Sequence, residues 1–191
     1  MRPGLPSFRR RDLFRALERV FCHTCELSGP AGGRFRIIHY FRIIHYAVQS
    51  NHVHFIIEAS DRAAMTRGMR RVGIRIAKQI NRSIGRKRGA VFADRYHEEH
   101  LLTPTQTRNA IGYVLCNIRK HIRDELGETY DPRWIDPCSS ARFFDGWRDR
   151  APPPVPGRSD PVAAPRTWLA RTGWKRRGLI ATSFVPGRRA K

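Results

Sequence analysis

Acidic residues are scarce in this chain. Sixteen Asp and Glu stand against 37 Lys and Arg over 191 residues, a formal net charge of +21. A charge of that size repels itself in the folded state unless a polyanion relieves it. It argues against a metabolic enzyme with a neutral surface and for a nucleic-acid partner. Long hydrophobic runs are missing too. No stretch approaches the roughly 20 apolar residues of a membrane-spanning helix. The basic start, Met1-Arg2-Pro3-Gly4, has no apolar segment behind it of the kind a secretory leader carries. Four cysteines do not make a disulfide scaffold in a chain of this length. No membrane association is expected, and the cytoplasm is the default location. What is present is material for a core. Hydrophobic residues are 40% of the chain and aromatics 10%, which excludes full disorder. The length suits one domain with an extension.

The first 20 residues hold six arginines and two acids. Leu13, Phe14, Leu17 and Val20 recur at helical spacing, which predicts a helix from Ser7, its cap, to Phe21. Ser28-Gly29-Pro30-Ala31-Gly32-Gly33 reads as a loop. Phe35-Arg36-Ile37-Ile38-His39-Tyr40 is then repeated at once as Phe41-Arg42-Ile43-Ile44-His45-Tyr46. Both copies have strand composition, and no turn residue separates them. An even-numbered repeat keeps the two-residue phase of a strand. It adds about 20 Å of extended chain, which must overhang the sheet or bulge from it. After the polar turn Gln49-Ser50-Asn51, residues 52–57 predict a second strand in a hairpin with the first. Met65, Met69, Val72, Ile76 and Ile80 mark an amphipathic helix from Asp61 to Ile84. Residues 90–103 look strand-like. Pro104, capped by Thr103, opens a helix that runs to Leu126.

The expected divisions are a domain over 1–127, an extension over 128–150, a Pro-rich linker over 151–165 and a basic tail over 166–191. In the tail, Trp168, Leu169 and Trp174 suit a short helical segment that packs back on the domain.

His52-Val53-His54 carries the strongest local chemistry. Residues i and i+2 of a strand point to one face. Two imidazoles there can chelate one metal ion, while Val53, Phe55 and Ile57 face the core. Tyr113 and Asn117, four apart, share a helix face beside the Ala110–Val114–Ile118–Ile122 stripe, on a flank with Lys120, His121 and Asp124. Each pair alone suits an ordinary structural role. Cys22-His23-Thr24-Cys25 has no second cysteine pair to make a zinc site, since Cys116 and Cys138 are isolated.

Taken in order, Asn51-His52-Val53-His54, the basic helix, Gly89-Ala90-Val91-Phe92-Ala93-Asp94-Arg95-Tyr96 and Tyr113-Val114-Leu115-Cys116-Asn117 resemble the motifs of a known family. This is the single-tyrosine HUH transposases of bacterial insertion sequences, and among them the REP-associated tyrosine transposases. The resemblance covers roughly residues 8–127. It implies an α+β, ferredoxin-like βαββαβ antiparallel sheet with helices on one face. It also implies metal-dependent cleavage and rejoining of single-stranded DNA beside a hairpin, by a monomer or homodimer. His52 and His54 match the family's metal-binding histidines, and Asn117 the polar residue that completes the site with Mg²⁺ or Mn²⁺. Tyr113 matches the nucleophile that forms a 5′-phosphotyrosine. The choice of ion comes from the family, because two imidazoles by ligand type alone do not suit Mg²⁺.

Between Arg62 and His97 stand eleven Lys or Arg and a single acid, Asp94. Arg67, Arg70, Arg71, Arg75, Lys78, Arg86, Lys87, Arg88 and Arg95 are the expected DNA-binding residues, lining a groove for a backbone. Two departures from the family stand out. Its members have a strand before the Gly-Leu-Pro-Ser turn, here residues 4–7, so the first strand is expected to be missing and the 52–58 strand to have an unpaired edge. Ile118 follows Asn117 where the family has proline. An inactive relative that only binds structured nucleic acid is the alternative.

Overall fold

The computed structural model describes residues 1–30, 38–127, 131–149 and 161–187. Along the chain run α1 (Arg11–Thr24), β1 (Glu26–Pro30), β2 (Ile38–Val48), β3 (Val53–Ala59), α2 (Arg62–Ser83) and α3 (Pro104–Leu126). A 3-10 turn at Ser140–Phe143, a short α4 (Trp168–Arg171) and a second 3-10 turn at Gly173–Arg177 follow. The fold mixes helices with one antiparallel sheet in the order β1-β2-β3.

The repeated hexapeptide both overhangs and bulges. Its second copy lies within β2, where Ile43 stands opposite Ile57 and His45 opposite Ile56, so Ile44 is an inserted residue. A bulge of this kind shifts the facing of everything beyond it. Phe41 and Ile43 before it, and Tyr46 and Val48 after it, therefore reach the same core. Ile44 and Ala47 face the other side of the sheet. At its start β2 outruns β3, whose last pair is Ala59 with Phe41. There Ile38, His39 and Tyr40 pair with Pro30, Gly29 and Ser28 of β1. The expected loop at 28–33 is thus corrected at 28–30. The overhang of β2 leaves free backbone groups that this segment satisfies, and proline is tolerated because β1 is an edge strand. Residues 31–37, which include the rest of that loop and the start of the first copy, lie outside the described residues.

Helices cover both faces of the sheet and not one, as was expected. On the first face Leu13, Leu17 and Phe21 of α1 meet Val72, Ile76 and Ile80 of α2 over Phe41, Ile43, Tyr46 and Val48, with Val53, Phe55 and Ile57 of β3 at the margin. On the second, Ile111, Val114 and Leu115 of α3 pack on Ile44, Ala47 and Ile56 beside Phe144, Trp147, Trp174 and Ile180. The hairpin is apolar on both sides, so each face needs a cover. No strand forms over 90–103. Residues 93–100 are all exposed, and no alternating apolar positions hold them to the sheet.

The helix starts follow local chemistry. Asp61 caps α2, its Oδ1 accepting from Ala64 N at 2.7 Å. At α3, Thr103 Oγ1 accepts from Gln106 N at 3.2 Å while Gln106 Oε1 accepts from Thr103 N at 3.1 Å, a reciprocal capping box. α1 begins later than expected. Arg10 holds its cap position without a side-chain bond, and the Ser7 hydroxyl accepts from Arg9 N at 3.2 Å instead.

Segments from the C-terminal part complete the β2 edge that β1 leaves open. Val48 N donates to Cys138 O at 2.8 Å and Ala163 N to Ile43 O at 2.8 Å. Arg9 forms a two-pronged pair with Asp136, at 2.9 and 2.7 Å, and also reaches Val48 O at 2.8 Å. Glu58, 6% exposed, accepts from Thr167 N at 2.8 Å and Arg166 N at 2.9 Å. Trp174 is buried as the expected packing of the tail requires, whereas Trp168 is exposed. Most of the expected Pro-rich linker, residues 151–160, lies outside the described residues. Among the described residues no helix is long and apolar enough to cross a membrane.

Two stability predictions arise from this packing. Gly68 in the middle of α2 lies against Phe41, and a Cβ there would overlap the phenyl ring. Phe41 is 2% exposed and has nowhere to move. Gly68→Ala is therefore expected to cost about 1–3 kcal/mol despite the better helix propensity of alanine, read as a lower urea midpoint. His45 is buried against Phe144, with ring centroids 5.2 Å apart. Burial holds its imidazole at about 4, opposed only weakly by the Asp145 carboxylate. The unfolded chain binds that proton below about pH 6.5, so stability falls as the pH drops from there toward 4. The loss from this group approaches about 3 kcal/mol. Urea midpoints at pH 7 and pH 4.5 should differ less in His45→Asn than in the parent chain. Equal differences would remove His45 as the cause.

Candidate functional site

β3 starts directly after the 49–52 turn, which Gln49 N closes on His52 O at 2.9 Å. Val53 then faces the α1–α2 core, and alternation turns His54 to the opposite side, toward α3. There the His54 ring meets Tyr113 edge-on, with centroids 5.3 Å apart and planes at 78°. His52 and His54 come together as expected, their Nε2 atoms 3.0 Å apart. Tyr113 is 37% exposed, so a substrate can reach it. Asn117 lies one turn further along α3 and is 1% exposed.

The hydrogen bonds assign the tautomers. His52 Nδ1 stands 2.7 Å from Asn51 Oδ1. An amide oxygen only accepts, so Nδ1 carries the proton and Nε2 the lone pair. His52 Nε2 therefore accepts from His54 Nε2–H in this arrangement. Burial lowers the affinity of both rings for a second proton. For His54 the value falls to about 4, helped by the neighbouring His52 and His121. For His52 burial leads, followed by His121 and the amino terminus. Both imidazoles are neutral at physiological pH, the form in which histidine binds metals.

These residues fit a divalent cation. Two nitrogens bound side by side at about 2.1 Å from one ion are about 3 Å apart, which is the spacing of the two Nε2 atoms here. His54 would move its proton to Nδ1. Asn117 Oδ1 is buried with no hydrogen-bond partner among the described residues. Such an oxygen is open to a ligand, and Asn81 Oδ1 at the end of α2 is in the same state. Among the described residues no group of three or more His, Cys, Asp and Glu side chains is placed to hold a metal. The cysteines form no such group. Cys116 is buried among the α3-side residues and Cys138 beside the opposite core, and burial raises their thiols to about 12 and about 11.

The basic residues stand elsewhere. Arg67, Arg70, Arg71, Lys78, Arg86, Lys87, Arg88 and Arg95 are exposed, and Arg75 is half-buried with its guanidinium on His23 O at 3.4 Å. The α2 residues among them belong to the sheet face opposite Tyr113. The connection from α2 to α3 is tied to the amino terminus. Arg2 N donates to Val91 O at 2.9 Å, and the Met1 amino group is near enough to act on His52. Asn81 hangs the basic 85–89 loop from the end of α2, donating to Gly89 O at 2.8 Å. Arg95 does not join the loop. With Tyr96 and His97 it lines a cavity of about 370 Å³ beside Arg62 and Thr66 at the start of α2.

Two residues at the site received no role from sequence reasoning. Asn51 belongs to the 49–51 turn and also orients His52. His121 lies on the Tyr113 flank of α3, and its Nε2 stands 3.3 Å from Asn117 Nδ2. Its spacing of eight from Tyr113 was the available signal, since i, i+4 and i+8 share one helix ridge. Comparison with protein-family models, curated proteins and solved structures found no match.

Proposed function

We propose that this chain is a metal-dependent single-strand DNA endonuclease and strand transferase of the transposase type, acting through a tyrosine nucleophile. The meeting of Tyr113 with the His52–His54 pair carries the proposal. An accessible phenol beside two neutral imidazoles and a buried, unpaired amide oxygen is a suitable set for phosphoryl transfer. Tyr113 Oη attacks a backbone phosphorus. The new O–P bond forms as the P–O3′ bond breaks, the phenol gives up its proton and the 3′ oxygen takes one. A free 3′-hydroxyl leaves, and the 5′ phosphate stays on the protein. The phosphoester bond is conserved in the adduct, so rejoining needs no nucleotide cofactor. His52, His54 and Asn117 would hold Mg²⁺ or Mn²⁺, which supplies charge neutralisation at the scissile phosphate when bound.

On this reading α1, β2, β3 and α2 correspond to the central αββα stretch of a βαββαβ arrangement. The partner is single-stranded DNA with a hairpin, bound by a monomer or homodimer in the cytoplasm. The test is a labelled hairpin oligonucleotide incubated with protein and Mg²⁺ or Mn²⁺, then resolved under denaturing conditions. A covalent adduct that disappears with a chelator is expected. His52→Ala with His54→Ala should lower its yield about a hundredfold or more. Undiminished yield would refute the metal site.

One observation favours a second reading. The basic face of α2 lies across the sheet from Tyr113, so it can bind a polyanion independently of any cleavage. A binding protein of this kind gives salt-dependent affinity for structured DNA and no adduct under any metal condition.

A further inference from the structure

The α3 ridge that carries Tyr113 and Asn117 continues to His121, one turn on. Asn117 is 1% exposed, and its two polar atoms have different fates. Nδ2 stands 3.3 Å from His121 Nε2, while Oδ1 is buried without a hydrogen-bond partner among the described residues. A side-chain amide can turn over and exchange these two positions, and its neighbours decide which way it points. An acceptor at His121 Nε2 selects the NH₂ group and sends the oxygen the other way. A donor there would select the oxygen and present NH₂, which binds no cation, in its place.

His121 stands on this ridge two turns beyond Tyr113, whose ring meets His54 with centroids 5.3 Å apart. The ridge therefore runs from Tyr113, in contact with His54, to His121, with Asn117 between them.

We propose that His121 is a positioning residue: its Nε2 accepts the Asn117 amide hydrogen and so keeps Asn117 Oδ1 available as the third donor to a divalent cation beside His52 and His54. The His121 proton then sits on Nδ1. The inference rests on the metal-binding reading of the cluster. It adds an orienting partner behind a ligand, a contact that sets metal affinity without touching the ion.

Mn²⁺ is the probe, titrated into the full chain and followed by electron paramagnetic resonance without DNA. His121→Ala is expected to weaken Mn²⁺ binding about 10- to 100-fold. His121→Gln, whose Oε1 can accept the same amide hydrogen, is expected to recover affinity to within a few-fold, and it serves the test alone should the alanine variant fail to fold. Spin-echo spectra should show two coupled imidazole nitrogens in the parent and in both variants. Unchanged affinity in His121→Ala overturns the proposal. So does a third imidazole coupling that vanishes in that variant, which would make His121 a ligand. Weak binding in His121→Gln equal to that of His121→Ala overturns it as well. Binding lost in His52→Ala but unaltered in His121→Ala sinks the positioning role and spares the metal site. Binding absent from the parent chain, or indifferent to His52→Ala, sinks both.

Discussion

Tyr113→Phe is expected to remove the covalent protein–DNA adduct, lowering its yield about a thousandfold or more. Phenylalanine keeps the ring that meets His54 at 5.3 Å and loses only the oxygen that the proposed reaction uses to attack. The fold should be unaffected, because Tyr113 is 37% exposed and its hydroxyl contributes nothing to the core. A surface change of this kind stays within about 0.5 kcal/mol. Salt-dependent DNA binding should also survive, since the exposed arginines of α2 belong to the other face of the sheet. Denaturing gels, thermal melts and a salt titration of affinity together separate the three effects. Parent-level adduct in the variant would sink the assignment. Mapping that adduct by peptide mass would then show whether Tyr96, 36% exposed beside Arg95, is the residue attached.

The largest expected loss of stability comes from Trp174→Ala. Trp174 is 2% exposed. Its ring lies 5.4 Å from Phe144 and its Nε1 donates to Ala170 O at 3.1 Å. It occupies the space over Gly146, where a Cβ would strike the indole. Truncation leaves a cavity that the surrounding side chains cannot fill, at a cost of about 3–5 kcal/mol. For a chain of this size each kcal/mol lowers the melting temperature by about 2–4 °C, so a drop of about 6–20 °C is expected. Trp168→Ala is the control, because Trp168 is 52% exposed and should cost about 1 kcal/mol at most. The comparison also bears on the site. Trp174 shares its cluster with Ile111, Val114 and Leu115 of α3, the helix that presents Tyr113. Adduct formation in Trp174→Ala should fail at a temperature the parent tolerates. Equal melting of the two tryptophan variants would mean that the tail does not support α3.

Much of the site could be read in advance because it depends on short-range periodicity. His52 and His54 share a strand face by the period of two, and Tyr113 and Asn117 share a helix face by the period of 3.6. Neither rule depends on the rest of the fold. The Thr103 cap of α3 was equally legible, since it acts within three residues of itself, whereas Asp61, expected as the first residue of α2, caps that helix instead. Errors fell where partners are distant. Ser28, Gly29 and Pro30 have loop composition and become a strand only because β2 overhangs beside them. Residues 90–103 have strand composition at their start, yet nothing in the sheet receives them. The basic residues of 62–95 are contiguous in sequence and invited a single groove. The sheet stands between most of them and the tyrosine.

By itself the sequence determined the excess positive charge, the hairpin, the amphipathic faces of α2 and α3, and the shared faces of His52 with His54 and of Tyr113 with Asn117. All of these are set by composition or by neighbours within a few positions. Only the tertiary structure decided that Tyr113 meets the His52–His54 pair, that the α2 arginines lie across the sheet from them, and that the C-terminal residues cover the second face. It also decided the bulge at Ile44, which turns Tyr46 and Val48 back into the α1–α2 core. The reason is common to all four. An edge, a face or a cavity exists only once distant segments have packed, and the free energy that selects among arrangements is shared over every residue that lines it.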